Sequence, residues 1–500
     1  MNSTDITFLG HPRGLVTLFM TEFFERFTYY GMRALLVLFL IAAMDDKNAG
    51  FGMSREAAGA IYGLYTGAVY LFSLPGCWIA DRLIGQRRAV FYGGIAIMLG
   101  NFTLAIPATV PVFYLGLFII AVGVGLLKPN ISAIVGALYD NRTAAQRDAG
   151  FSIFYMGINL GALIAPLIAG TIGETWNWRG GFFCAGLFMG IGLIQYKMTE
   201  LYLGEAGLRP ASSDRAEHAR NWRNLGLSVG ALALLATLLG AGVIDITVAQ
   251  LAQAAGLMMS LIGIVYFVLV IFFGGLTPDE QKRVGVIAIF FLCAAMFWAG
   301  FEQAATTFNL FAQDLTDRSF LGGSFADGMH PATWYQSANP IFVVLGAPVF
   351  AWLWVFLAKR NLDPSAPAKF GLGLLQLGIG FGIMMLAAQL ILSSGGKVGP
   401  VWLLMTYFVH TMGELCLSPV GLSNVTRLSP KRFVGQMMGT WFLGSALGNL
   451  VAGIVGGHVG SAAVEEMPSQ FLTMAFIAGG AGIAMLVATP TIKKMMGETR

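Results

Sequence analysis

The feature that most limits what this 500-residue chain can fold into is a series of apolar stretches, each about twenty residues or longer. They run at 14–43, 55–80, 88–107, 111–139, 150–173, 179–201, 224–243, 254–276, 284–313, 332–358, 370–393, 399–427, 434–457 and 469–490. A segment of that length crosses the hydrocarbon core of a bilayer as an α-helix, whereas a barrel strand needs only about ten residues and alternates in polarity. No such alternation runs through these stretches. The expectation is an all-α membrane protein with fourteen transmembrane helices. Composition agrees, since 56% of residues are hydrophobic and 11% charged, with a mean hydropathy of +0.71. The 65 glycines suit helices that pack closely through small residues.

A net charge of +4 raises the question of nucleic acid, but the basic residues fall in short loops between apolar segments. The bilayer explains them better, and no nucleic-acid partner is expected. With a cytoplasmic N-terminus, about 22 of the 30 Lys and Arg lie on the cytoplasmic side, about five outside, and Arg26, Arg33 and Lys128 within the membrane. Both termini are therefore expected in the cytoplasm, in a multi-pass protein of the cell inner (cytoplasmic) membrane. No signal peptide is expected, because the first apolar segment carries a charged cluster. Cys77, Cys184, Cys293 and Cys416 lie far apart in apolar segments, which predicts free thiols and no metal site.

The longest polar interior stretch, 202–223, reads as a linker. It divides the chain into an N-terminal six-helix bundle (1–201), the cytoplasmic linker (202–223), a peripheral two-helix hairpin (224–281) and a C-terminal six-helix bundle (282–500). The hairpin carries no intramembrane charge and need not touch a polar pathway. The loop ADRLIGQRRAV (80–90), with Asp81, Arg82, Gly85, Arg87 and Arg88, resembles the loop signature of the major facilitator superfamily.

Within the first apolar segment, EFFERFTYYG (22–31) sets Glu22, Glu25, Arg26, Tyr29, Tyr30 and, further on, Arg33 within one arc of about 140° on a helical wheel. A charge at mid-bilayer costs a few kcal/mol or more, so such residues face a bundle interior or a water-filled path. Elsewhere the intramembrane ionisable residues are Lys128, Glu302, His410 and Glu414. These cations and carboxylates are expected to pair. His410 lies one turn before Glu414, and without a second ligand pair it is read as a hydrogen-bonded core histidine. Asp81, Arg87 and Arg88 are read as locks on helix ends, and Asp314, Asp317, Asp327, Glu465 and Glu466 as solvated loop residues.

The run Glu22, Glu25, Arg26, Phe27, Tyr29, Tyr30, Gly31 resembles the ExxERFxYYG signature of the proton-dependent oligopeptide transporters. FYMGINLGA (Phe154, Tyr155, Ile158, Asn159, Gly161) is similar to that family's FYxxINxG. GLLKPN with Lys128, FWAGFEQ with Trp298 and Glu302, and GELCLSP with Glu414 continue the match in order over essentially the whole chain. The resemblance implies a major facilitator fold of the bacterial type, with six-plus-six helices and an inserted hairpin. It implies proton-coupled symport of di- and tripeptides into the cell by alternating access, with the proton as coupling ion, no other cofactor and no enzymatic reaction. A lipid bilayer and a monomer complete the expected setting.

By the same resemblance, Arg26, Tyr30 and Lys128 hold the peptide carboxylate and Asn159, Asn339 and Glu414 its amino terminus, with Tyr29, Tyr70, Trp298 and Trp441 in the pocket. Proton coupling is assigned to Glu22, Glu25, Arg26 and Glu302. Two gate salt bridges are implied, Arg33–Glu302 and Lys128–Glu414. The segment 61–71 lacks the second-helix histidine of animal members, which moves the proton role to carboxylates. A same-fold transporter of another zwitterionic or anionic solute, such as nitrate, is the first rival, although nitrate-transporting plant relatives lack the ExxER cluster. An intramembrane enzyme is less favoured, because no HExxH, GxSxG or paired-Asp motif occurs. A channel is disfavoured because acids and bases interleave.

Overall fold

In a computed structural model, residues 7–8, 10–107, 109–140, 142–208, 210, 215–240, 243 and 246–497 are described. Part of the predicted linker, Arg209 and residues 211–214, therefore lies outside the described residues. Helical segments follow one another along the chain as α1 (Gly14–Ile41), α2 (Arg55–Ile84), α3 (Gln86–Ala105), α4 (Val110–Ala137), α5 (Ala145–Thr175), α6 (Trp178–Leu203), α7 (Arg215–Gly240) and α8 (Val248–Phe273). Then come α9 (Pro278–Leu315), α10 (Ala332–Lys359), α11 (Ala366–Ser394), α12 (Val401–Leu428), α13 (Lys431–Ser461) and α14 (Met467–Met496). By length and composition, 11 of these can cross a membrane; α1, α7 and α12 are long helices outside that set.

The chain is not purely helical. Thr7–Phe8 pairs antiparallel with His11–Pro12 just before α1, and Thr316 bridges Val398. The largest boundary difference from the sequence reading is at α7, which starts at Arg215 rather than 224. Its first turns are polar, so an apolar window misses them, and Glu217 there pairs with Arg82 at 2.6 Å. Residues 215–223 of the expected linker are therefore helix. The four cysteines are free thiols.

Helix starts follow from local chemistry. Thr143 and Gln146 form a reciprocal capping box before α5, and Thr277 and Glu280 form another before α9, each satisfying backbone N–H groups that the first turn leaves open. Asn177 caps α6 by accepting from the amides of Arg179 and Gly180. Within α5, Pro166 cannot donate to the preceding turn, and the helix widens to a π turn over Pro166–Gly170. Within α9, Glu302–Ala305 tightens to a 3₁₀ turn, and α10 opens on another, Ala332–Ser337.

Packing gathers the chain into two units. The first comprises Met1–Met32, Ala68–Ala169 and Asn177–Leu251; the second comprises Arg33–Gly67, Gly170–Trp176 and Ala252–Arg500. The divisions fall inside α1, α2 and α5 and not only at the linker. Close backbone approach inside each unit depends on glycine. In the first, a methyl on Gly161 would stand 2.6 Å from Phe23 O and 2.9 Å from Arg26 Cβ, so α5 can lie against the charged face of α1. In the second, a methyl on Gly63 would stand 2.6 Å from Leu450 O, which lets α2 and α13 approach.

Candidate functional site

In the first unit, Arg26 lies between two carboxylates on its own helix. Its Nε is 3.1 Å from Glu22 Oε1 and is also paired with Glu25. Glu22, Glu25 and Arg26 are 1%, 0% and 3% exposed, so this charge density is out of contact with solvent. The Arg26 guanidinium sits 5.1 Å from the centroid of Tyr29, whose ring meets Tyr30 edge-on. From α4, Lys128 places its Nζ 4.6 Å from the centroid of Tyr70 on α2 and lies within the field of Arg26, Tyr30, Glu25 and Glu22.

The local sequence explains how Lys128 is presented. Pro129 interrupts the backbone ladder of α4, and the Asn130 amide donates to Leu126 O at 2.7 Å and to Gly76 O of α2 at 3.3 Å. Two acids and two bases, formally balanced in charge, thus act on one another, three of them buried and Lys128 half-buried. Their hydrogen bonding is incomplete: Glu22 Oε2, Glu25 Oε1 and Arg26 Nη2 have no partner among the described residues. Asn159 lies in the same unit and donates to Tyr155 O of its own helix at 3.0 Å.

In the second unit, Arg33 Nη1 is 2.7 Å from Glu302 Oε2, with both side chains under a tenth exposed. Glu302 opens the 3₁₀ turn of α9, and Asn309, two turns on, donates to Ala34 O at 2.9 Å. Both therefore reach the second half of α1 despite the change of helical pitch between them. The turn itself is held by Tyr407, whose hydroxyl donates to Ala304 O at 3.2 Å. Asn339 donates to Glu414 Oε2 and to Thr411 Oγ1, each at 3.0 Å.

Trp298 meets Phe297 and Phe301 edge-on, and its Nε1 has no partner among the described residues. Trp441 is buried against Gly421 with Phe370 nearby. Of the residues named for the peptide amino terminus, Asn339 and Glu414 are in contact, while Asn159 belongs to the other unit. Likewise Lys128 belongs to the first unit and Glu414 to the second.

His410 is bonded through Nε2 to Leu377 O at 3.1 Å and flanked by Phe308 and Phe381, the environment of a core histidine. Among the described residues, no three His, Cys, Asp or Glu side chains gather as metal ligands. Arg87 donates to the carbonyls of Ala206 and Gly204 beyond α6, which ties the helix ends as expected. Asp314 is not simply solvated, because it pairs with Arg55 at 2.6 Å while about a third exposed.

A further cluster escapes the sequence reading. Glu174, in the last turn of α5, accepts from the backbone amides of Ala332 and Thr333 at 2.8 Å and from Thr333 Oγ1 at 2.6 Å. Arg318 is buried 3.9 Å from Glu174 and donates to His330 O. A signal for Glu174 does exist: an acid in the last turn of a helix opposes the macrodipole and needs an outside partner.

A family model described as the POT family matches residues 87–469. The chain is 40% identical to peptide transporter YePEPT of Yersinia enterocolitica subsp. palearctica, over 99% of this chain and 97% of that protein. It is 38% identical to a di-/tripeptide transporter of Lactococcus lactis subsp. cremoris, over 100% and 99% of the two chains. A crystal structure of a peptide transporter POT in complex with sulfate superposes with a TM-score of 0.90 at 39% identity, covering 99% of this chain and 97% of that one. Full-length agreement in sequence and in backbone leads to one conclusion: this chain is a member of the POT family.

Proposed function

We propose that the chain is a proton-coupled symporter that brings di- and tripeptides into the cell by alternating access. The proposed architecture is a major facilitator fold with fourteen membrane helices: six-helix bundles at 1–201 and 282–500, joined by a linker that begins at 202 and ends where α7 starts, and a hairpin of α7 and α8. Both termini face the cytoplasm of an inner membrane, and the monomer is the working form. In this orientation the ends carrying Arg33, Glu174 and Arg318 are outer. The names and ligands of the relatives support the substrate class, and the observation that carries it here is the cluster around Arg26.

That cluster holds Glu22, Glu25, Arg26 and Lys128 in one field, with Arg26 Nη2 lacking a partner among the described residues. Arg26 and Lys128, helped by Tyr30, take the peptide carboxylate, which an arginine fork suits. A bound carboxylate tips the balanced cluster negative, and a proton on Glu22 or Glu25 restores neutrality. Substrate and proton are thereby drawn to the same place, with their titrations coupled. Asn339 and Glu414 take the peptide ammonium together with Asn159, while Tyr29, Tyr70, Trp298 and Trp441 line the pocket.

Protonation of Glu302 cancels its charge and loosens its hold on Arg33, which opens the outer gate; a Lys128–Glu414 pair closes the inner one. The gradient is sufficient, since one charge through 100 mV is worth about 2.3 kcal/mol and each pH unit about 1.4 kcal/mol. The test is peptide uptake into proteoliposomes under an imposed pH gradient, with and without a potential. Uptake that ignores both, or that no dipeptide inhibits while nitrate or amino acids do, overturns the reading.

A further inference from the structure

We propose that Glu174 is a second outer lock, separate from Arg33–Glu302, and that the outer side opens only when its carboxylate releases the first turn of α10. The inference rests on the alternating-access reading above. All the residues concerned lie in one packing unit.

Both carboxylate oxygens are occupied. Oε2 accepts from the Ala332 amide, and Oε1 accepts from the Thr333 amide and hydroxyl. These amides open the 3₁₀ turn Ala332–Ser337, so a full negative charge sits at the positive end of a helical segment. The side chain is 12% exposed, and in so dry a setting charge-assisted bonds are strong. A second contact joins the same two elements, because Trp334 Nε1 donates to Thr171 Oγ1 at 2.8 Å. Gly170 lies directly against Thr333, where a side chain would push the elements apart.

The seat is also held from behind. Arg318, at 3.9 Å from Glu174, donates to His330 O, and His330 Nδ1 donates back to Arg318 O at 2.6 Å. The loop after α9 is therefore fixed to the point where α10 begins. Asn48, in the loop after α1, donates to Gly173 O at 2.7 Å and adds a third element to the same end.

Such an arrangement is two-state in character. While the carboxylate occupies the turn, the ends of α5 and α10 move together. Once it withdraws, two backbone amides must find water, which is available only if the outer end parts. A carboxylate whose two oxygens are both engaged by the start of α10, and which is only 12% exposed, is committed to that turn, so its role is mechanical and not ligand binding.

The experiment is distance measurement between spin labels on Trp176→Cys and Ala326→Cys, both exposed, with Cys77→Ser to remove the one native thiol that is not buried. No peptide and no gradient are present. Glu174→Ala is expected to raise the ratio of long to short distances by about tenfold or more, with Glu174→Gln and Thr333→Val shifting it less in the same direction. Unchanged distributions in folded Glu174→Gln and Thr333→Val overturn the lock, even if the proteins melt at lower temperature, because lost stability alone marks a static brace. If Glu174→Ala does not fold, the two milder variants decide. Failure of wild-type protein to take up peptides would overturn the transport reading and leave this result to stand or fall on the distances.

Discussion

Two buried carboxylate clusters in this chain are built on opposite plans. Around Arg26, two acids and a guanidinium leave Glu22 Oε2, Glu25 Oε1 and Arg26 Nη2 without partners among the described residues. Around Glu174, three donors fill both oxygens of a single acid. A buried polar group without a partner costs roughly 1–3 kcal/mol, so the first arrangement is sustained against its own stability. The difference separates a site with buried polar atoms still open to another charged group from a joint whose two oxygens are both engaged. Arg33–Glu302 is intermediate: a buried ion pair that only a proton on the carboxylate could neutralise.

The largest expected effect is at that intermediate pair. Glu302→Gln should abolish gradient-driven peptide uptake while leaving exchange of peptide at equal concentrations on the two sides of a vesicle. Loss of both in folded protein would remove Glu302 from coupling and place it with the joints. Next comes Lys128→Ala, which should weaken peptide binding by roughly ten- to a hundredfold, as expected for a charge-assisted bond. Analogues lacking the carboxylate should bind almost as before. Equal weakening of both ligands would show that the open cluster around Arg26 does not read the carboxylate.

Stability sharpens the contrast further. Glu22→Gln removes an acid that has one oxygen without a partner, and Arg26 keeps its bond to Glu25. Its cost should stay under about 1 kcal/mol, whereas Glu174→Gln should cost about 2 kcal/mol, since three donors lose a charged acceptor. Thermal unfolding in detergent compares the two variants directly. The reverse ranking would mean that partnered and unpartnered oxygens are not what distinguishes the clusters.

The plan of the open cluster is legible in the sequence because it is local. Glu22, Glu25, Arg26, Tyr29, Tyr30 and Arg33 share a helix, so 100° per residue places them on one face without any tertiary information. The contacts of Glu302 with Arg33 and of Glu414 with Asn339 join residues 269 and 75 positions apart, and no local period carries them. For those, only the likeness of motifs speaks in advance. The start of α7 escapes for a different reason, because its polar first turns lie on Arg82 and not in an apolar window. Glu174 escapes because a lone acid at a helix end looks solvated until its partners, more than 150 residues later, are in place.

The smallest expected effect concerns His330, which backs the filled cluster from outside the membrane segments. Burial holds its imidazole below the ordinary histidine range, and the nearby Arg318 guanidinium acts in the same sense, against the hydrogen bond to Arg318 O and the more distant Asp317. Its Nδ1 donates to that carbonyl, so Nε2 is left to accept from the Tyr335 hydroxyl at 3.2 Å. A folded value below the unfolded one means that the unfolded chain binds the proton more readily. The contribution is therefore present above the unfolded histidine value of about 6.5 and is lost as pH falls through the folded value. Wild-type protein should show a small fall in unfolding midpoint across that window, and His330→Gln should show less of it. If both fall equally, the acid sensitivity of this end belongs to another group, and the filled cluster is indifferent to outside pH.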